Sequence, residues 1–138
     1  MKRFEIVPHV ADVRIKLEAD NLQDLFETAL EGMDEILKKG FCKRLMKNLL
    51  KLELDISSPD ITSLLIDLLS DILTLSHIHS TIFCKVVFKE FATNSLKAII
   101  YGGKVRRFDE DIKAVSYHEA EVIKNKNGNF QTNIIFDI

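Results

Sequence analysis

A chain of 138 residues, 46% hydrophobic and 29% charged, has the composition of one ordinary globular domain and is long enough to bury a single core. Intrinsic disorder is excluded, because it requires low hydrophobicity with high net charge. A formal net charge of -2 supplies no global attraction to phosphate, so a nucleic-acid role must use a local basic patch or a partner.

The opening stretch MKRFEIVPHV lacks the apolar core and small-residue cleavage site of a signal peptide. Phe4 and Ile6, then Val13, Ile15 and Leu17, alternate with polar residues and predict two short half-buried strands, with Pro8 to Asp12 as the connection. Asn21 is a natural N-cap with Asp24 at the third helical position. Leu22, Leu25, Phe26, Ala29, Leu30, Met33, Ile36 and Leu37 follow at helical spacing, and Gly40 is expected to end the helix. Leu50, Leu52, Leu54 and Ile56 alternate with charged residues as a strand does. Ser58-Pro59-Asp60 predicts a second helix start with Pro59 at the first helical position. That helix runs through Leu64, Leu65, Leu68, Leu69, Ile72 and Leu75, and carries Asp60, Ser63, Asp67 and Asp71 on another face. The two aspartates within it make the apolar stretch from Ile61 to Leu75 too polar to span a bilayer.

From Thr81 onward the pattern is β. Residues 81–91 and 96–101 predict two strands, and 113–123 with 130–138 predict a hairpin closed near Asn127-Gly128. Residues 1–138 therefore read as a single α+β domain, mainly antiparallel sheet with two helices packed on one face. The two cysteines, Cys42 and Cys84, lie far apart and outside any CxxC motif. They read as reduced thiols of a cytoplasmic protein, with Cys84 a small buried side chain.

Several clusters invite a chemical reading. His77 and His79, two apart near a helix end, point to different sides and suit a solvated loop better than a metal pair. Asp67 and Asp71 share a helix face, either as an acidic patch or as the wet side of an amphipathic helix. Lys38, Lys39, Lys43, Arg44 and Lys47 form one basic stretch, and Lys104, Arg106 and Arg107 another; both suit solvated loops or phosphate contact. Tyr101-Gly102-Gly103-Lys104 lacks the spacing and following helix of a phosphate loop.

Five segments carry a resemblance when taken together. They are His9-Val10-Ala11-Asp12-Val13-Arg14-Ile15, the paired leucines and acidic step from Ser63 to Leu73, the pair Tyr101-Gly102, the run Ile112-Lys113-Ala114-Val115-Ser116-Tyr117-His118, and the closing Phe136-Asp137-Ile138. In order and across nearly the whole chain, they resemble the defining segments of the archease family. The chain departs from the family pattern at Gly103, where Glu is common, and in the Lys104–Asp111 loop, which lacks a His and a Pro. It has no Trp, and Phe130 stands near that place.

The resemblance implies an accessory protein that activates the GTP-dependent RNA ligase joining tRNA halves that bear a cyclic phosphate. It implies promotion of ligase guanylylation and repeated turnover, with no catalytic residue of its own. The expected partner is the ligase, with RNA contacted only indirectly, no membrane, and a cytoplasmic monomer or weak oligomer. The resemblance further implies a divalent cation at the acidic ends, with Asp12, Asp137 and the α-carboxylate of Ile138 as ligands. An all-oxygen set favours Ca²⁺, Mn²⁺ or Mg²⁺ over zinc. His9, His118 and Asp71 are candidate supporting or partner-contact residues, with His118 and Glu119 expected on opposite faces of a strand. The rival readings are a general chaperone, an RNA-binding adaptor, and a metal-dependent phosphoester hydrolase using Asp12 and Asp137.

Overall fold

The computed structural model of the protein describes residues 2–3, 11–45, 47 and 49–138. The elements run β1 (Asp12–Ala19), α1 (Leu22–Leu37), α2 (Phe41–Arg44), β2 (Leu50–Ser57), α3 (Ile61–His79), β3 (Thr81–Phe91), β4 (Ser95–Lys104), β5 (Ala114–Ser116), β6 (Ile123–Lys124) and β7 (Phe130–Asp137). The first expected strand, at Phe4 and Ile6, and His9 lie outside the described residues.

Two antiparallel sheets result. One has the order β1-β7-β5, with β6 also on β7; the other has the order β2-β4-β3. Helix α1 lies against β1 and β3, and α3 against β2, β3 and β5, so the helices tie the two sheets together. The apolar stripes expected from their spacing meet there: Phe26, Leu30 and Met33 of α1 and Leu64, Leu68 and Ile72 of α3 are buried with Phe83 and Phe136. By length and composition alone α3 could cross a membrane, contrary to the expectation from its aspartates. Its leucines are instead spent on this core.

The helix starts follow side-chain capping. Asn21 accepts the Asp24 N–H at 2.8 Å, as its position predicts. At α3 the cap is Asp60, which accepts the Ser63 N–H at 2.8 Å, so Pro59 precedes the helix instead of opening it. Helix α1 stops at Leu37, and Gly40, at φ 74°, redirects the chain into the four-residue α2. Only glycine takes that left-handed turn without strain.

The expected strand over 113–123 is broken. Its two ends survive as β5 and β6, which pair with opposite ends of β7, Ala114 with Asp137 and Ile123 with Gln131. Between them the chain turns, Glu119 taking φ 62°. The turn at Asn125–Gly128 forms as predicted, with the Gly128 N–H donating to the Asn125 carbonyl at 3.0 Å.

The cysteines are not separate thiols. Cys42 and Cys84 form a disulfide, their Cα atoms 5.5 Å apart, joining α2 to β3. The short helix and a register shift in β3 between Phe83 and Lys85 bring them together.

Candidate metal centre

Strand β7 fills the middle of its sheet and carries one candidate ligand at its end. Phe136 is fully buried opposite Val13, so the pleat turns the next residue, Asp137, outward. Asp137 is the register partner of Asp12. Directly opposed residues of an antiparallel pair share a face, with Cβ atoms about 4.5–5.5 Å apart. The Ile138 N–H donates to the Ala11 carbonyl at 3.0 Å, and the Lys113 N–H to the Asp137 carbonyl at 2.7 Å, so the acidic end is held from both sides. The first and last of the five segments that bear the resemblance thus meet residue against residue.

Among the described residues, Asp12 alone of the pair has a cationic neighbour. The Arg14 guanidinium lies 3.7 Å from the Asp12 carboxylate and 2.8 Å from that of Glu119. His118 Nε2 is 3.6 Å from the other Glu119 oxygen. His118 and Glu119 are therefore neighbours in a turn rather than residues on opposite faces of a strand, because the strand ends at Ser116. Two like charges 4 Å apart cost about 1 kcal/mol in water and about 4 kcal/mol near a protein surface. Two carboxylates and a main-chain oxygen of Ile138 make a hard, all-oxygen donor set that suits Ca²⁺, Mn²⁺ or Mg²⁺. Asp12 and Asp137, set in register by the β1–β7 pairing, are oxygen donors of the class that the resemblance implies.

Asp71 stands apart from this pair. It lies on α3 near Asp67, and partial burial, then the Asp67 charge, raise its pKa above the usual carboxylate value. Asp67 is engaged: it accepts the Ser58 hydroxyl at 2.5 Å and the Tyr117 hydroxyl. The Tyr117–Glu119 turn thus reaches both acidic groups, α3 through Tyr117 and the end of β1 through Glu119.

Other candidates take structural roles. His77, in the last turn of α3, sets a ring nitrogen 3.3 Å from the Ile112 carbonyl and packs edge-on against Phe108. It is not part of a solvated loop. Lys38 pairs with Asp109 at 3.3 Å and donates to the Arg107 carbonyl at 3.4 Å, so the two basic stretches adjoin at the end of α1. Sequence reasoning missed Arg14 and Glu119. Neither local spacing nor periodicity joins Arg14 to Glu119, 105 residues away, and the backbone turn that aims Glu119 has no sequence signature.

Among the described residues, the group of three His, Cys, Asp or Glu side chains with ligand atoms within 4.8 Å of one another lies elsewhere. It comprises Asp34, Cys42 and Cys84. Asp34 is 4% exposed, and burial, then the charges of Glu31 and Glu35, push its pKa well above the usual value.

Comparison with known proteins agrees with the segments. The profile of the Archease protein family (MTH1598/TM1083) matches residues 4–138. The protein archease of Methanosarcina mazei is 28% identical over 150 aligned positions, covering 99% of this chain and 97% of that one. The protein archease of Pyrococcus abyssi is 27% identical over 145 positions, covering all of both chains. Two solved structures share the fold. One, an archease from Thermotoga maritima described as a possible chaperone, superposes with a TM-score of 0.69 at 17% identity, covering 100% of this chain and 99% of that one. The other, protein 1598 of Methanobacterium thermoautotrophicum, gives 0.73 at 23% identity over 96% of each chain.

Proposed function

The chain belongs to the archease family, and from that premise we propose that it is a non-catalytic accessory protein that activates a GTP-dependent RNA ligase. The observation that carries this reading is the opposition of Asp12 and Asp137 at the joined chain ends. Two carboxylates on one face of the β1–β7 pair are an oxygen-donor arrangement that a divalent ion would suit.

In this reading Asp12, Asp137 and a main-chain oxygen of Ile138 hold the ion. The ion supplies positive charge at an otherwise acidic rim. Arg14 orients Asp12 and Glu119, and His118 stands at the outer edge, 76% exposed, where a partner can reach it. Tyr117 ties the same turn to α3 through Asp67. The reading assigns the chemistry to the ligase.

A guanylylation time course of the ligase, with and without the protein, tests the role. Acceleration is expected, and it should weaken in Asp12→Ala and Asp137→Ala. No acceleration by the wild type would overturn the reading. Calorimetric titration with Ca²⁺ or Mn²⁺ tests the site, and unchanged binding in both variants would remove it.

A chaperone reading has one observation behind it. Leu49, 69% exposed, and Ile78, 67% exposed, line the same surface hollow. Suppressed aggregation of unrelated unfolded proteins, with no ligase present, would favour that reading.

A further inference from the structure

We propose that Asp34, Cys42 and Cys84 form a second metal site, selective for soft cations of the zinc class, that exists when the cysteines are reduced and is closed when they form the disulfide. It is separate from the carboxylate pair and does not depend on the ligase reading.

The first argument is Asp34. A buried carboxyl without a hydrogen-bond partner is costly. Among the described residues its Oδ1 has no partner, and its Oδ2 lies 3.6 Å from Cys42 Sγ. A disulfide sulfur bears no hydrogen, so that contact is not a hydrogen bond in the oxidised form. A disulfide staple alone would be better served by an apolar neighbour. A carboxyl aimed at two sulfurs is what a metal ligand set requires.

The second argument is geometry. Zinc takes thiolate sulfur at about 2.3 Å and carboxylate oxygen at about 2.0–2.2 Å. Two sulfurs on one tetrahedral ion stand about 3.7 Å apart, so the bonded Cys42 and Cys84 sulfurs must separate on reduction, while Asp34 Oδ2, 3.6 Å from Cys42 Sγ, already has the spacing of a shared ion. Three elements build the site. Asp34 comes from α1, Cys42 from α2 behind the left-handed Gly40, and Cys84 from the register shift in β3. Bulges re-aim side chains in this way. A Cβ on Gly102 would lie 2.5 Å from the Ile82 carbonyl oxygen and 2.9 Å from the Phe83 Cα, so glycine there lets β3 approach closely beside Cys84.

The third argument is access and charge. A pocket of about 580 Å³, lined by Glu31, Asp34, Glu35, Cys42, Lys43 and Cys84, leads to the ligand atoms. Glu35 is committed to the Gly40 N–H at 3.1 Å, which leaves Glu31 or a water for the fourth position. Lys43 offsets the negative charge that two thiolates and a carboxylate leave on a divalent ion.

The chemistry balances. A dithiol reductant gives two electrons and two protons to the Cys42–Cys84 bond, yielding two thiols, and itself becomes a disulfide. The ion then displaces both thiol protons and the Asp34 proton into solvent. A disulfide oxidant then accepts the two electrons by thiol–disulfide exchange and, taking up two protons, leaves as two thiols; the Cys42–Cys84 bond reforms and the ion is released.

The test uses the full chain reduced with a phosphine, which is not itself a thiol ligand. Zn²⁺ is titrated against a chromophoric chelator, and Co²⁺ is added separately to read thiolate-to-metal charge transfer. We expect one equivalent bound by the reduced protein and none by the oxidised protein. Asp34→Asn, which keeps size and shape, should weaken binding by at least about 100-fold. Cys84→Ser should abolish the charge-transfer band, and Asp12→Ala should leave it intact. Binding no tighter in the reduced wild type than in the oxidised protein, or unaffected by Asp34→Asn, would overturn the proposal.

Discussion

Tyr117 donates its hydroxyl to Asp67, fifty residues away in sequence, and Asp67 also accepts the hydroxyl of Ser58. This one carboxylate joins the turn after β5, the body of α3 and the segment leading into it. The contact also raises the Tyr117 phenol pKa above 10.0, chiefly through the hydrogen bond to Asp67. Tyr117→Phe should cost roughly 0.5–1 kcal/mol, the modest range for a solvated hydrogen bond, as read by urea unfolding. Absorbance titration of the wild type should find a phenol ionising above the ordinary value, and Asp67→Asn should bring it down.

The carboxylate pair predicts an effect of ion-dependent sign. Without a divalent ion, Asp137→Asn removes a like charge facing Asp12 and should stabilise the protein by about 0.2–1 kcal/mol. Asp137 is the cleaner choice, because Asp12 is also held by Arg14. With Ca²⁺ at one hundred times its dissociation constant, the wild type should gain about 2.7 kcal/mol that the variant does not. Thermal melts of both proteins, with chelator and with Ca²⁺, read the crossing directly. Identical melts of the wild type under the two conditions would argue against ion binding.

The disulfide sets a third expectation. Cys42 and Cys84 are 42 residues apart, and closing a loop of that size is worth about 4 kcal/mol in the chain-entropy description. Reduction in chelator should lower unfolding stability by up to that amount. Zn²⁺ added to the reduced protein should restore part of it, since a shared ion is also a cross-link. A control with Asp34→Asn should lose the restoration and keep the loss.

How far the molecule was legible from its letters depends on the range of the interaction. The Asn21 cap and the α1 stripe were readable, because their partners lie within a few positions. The meeting of Asp12 and Asp137 was readable only through the family's paired segments; no spacing rule joins opposite ends of a chain. Pro59 misled because its fit to a first helical turn is a weaker determinant than the side-chain cap of Asp60. The break in the 113–123 strand was hidden, since it rests on Glu119 in a left-handed backbone that glutamate rarely adopts. The Cys42–Cys84 bond was hidden for a like reason: a short helix and a bulge create its geometry, and neither leaves a periodic trace.

Gly102 belongs to the Tyr101-Gly102 pair, and its role is packing. An added Cβ would meet Thr81 Cγ2 at 2.7 Å as well as the main chain of Ile82 and Phe83. Backbone cannot yield as a side-chain tip can. Gly102→Ala should therefore destabilise by about 1–3 kcal/mol, the range for overpacking a tight site. Gly128, at φ 80° with open space around its Cβ position, provides the contrast: replacement there strains only the turn. Chemical denaturation of the two variants should rank Gly102→Ala as the more damaging.

Asp34 predicts the pH dependence of the oxidised, metal-free protein. The groups facing it are Glu31 and Glu35 from its own helix, Cys42 and Lys43 from α2, and Cys84 from β3. Its folded pKa lies well above 3.8, so the folded state holds a proton that the unfolded state has lost over the interval between the two values. Where the native state binds more protons, stability falls as pH rises. The contribution of Asp34 is thus full below the unfolded pKa and declines from about pH 4 upward until the folded group ionises. Asp34→Asn cannot ionise and should flatten that limb, so that the variant gains on the wild type steadily between acid and neutral pH. Unfolding free energies measured across that window would show parallel curves if Asp34 were solvated and ionised in the fold, and converging acid limbs if it is the neutral, buried acid described above.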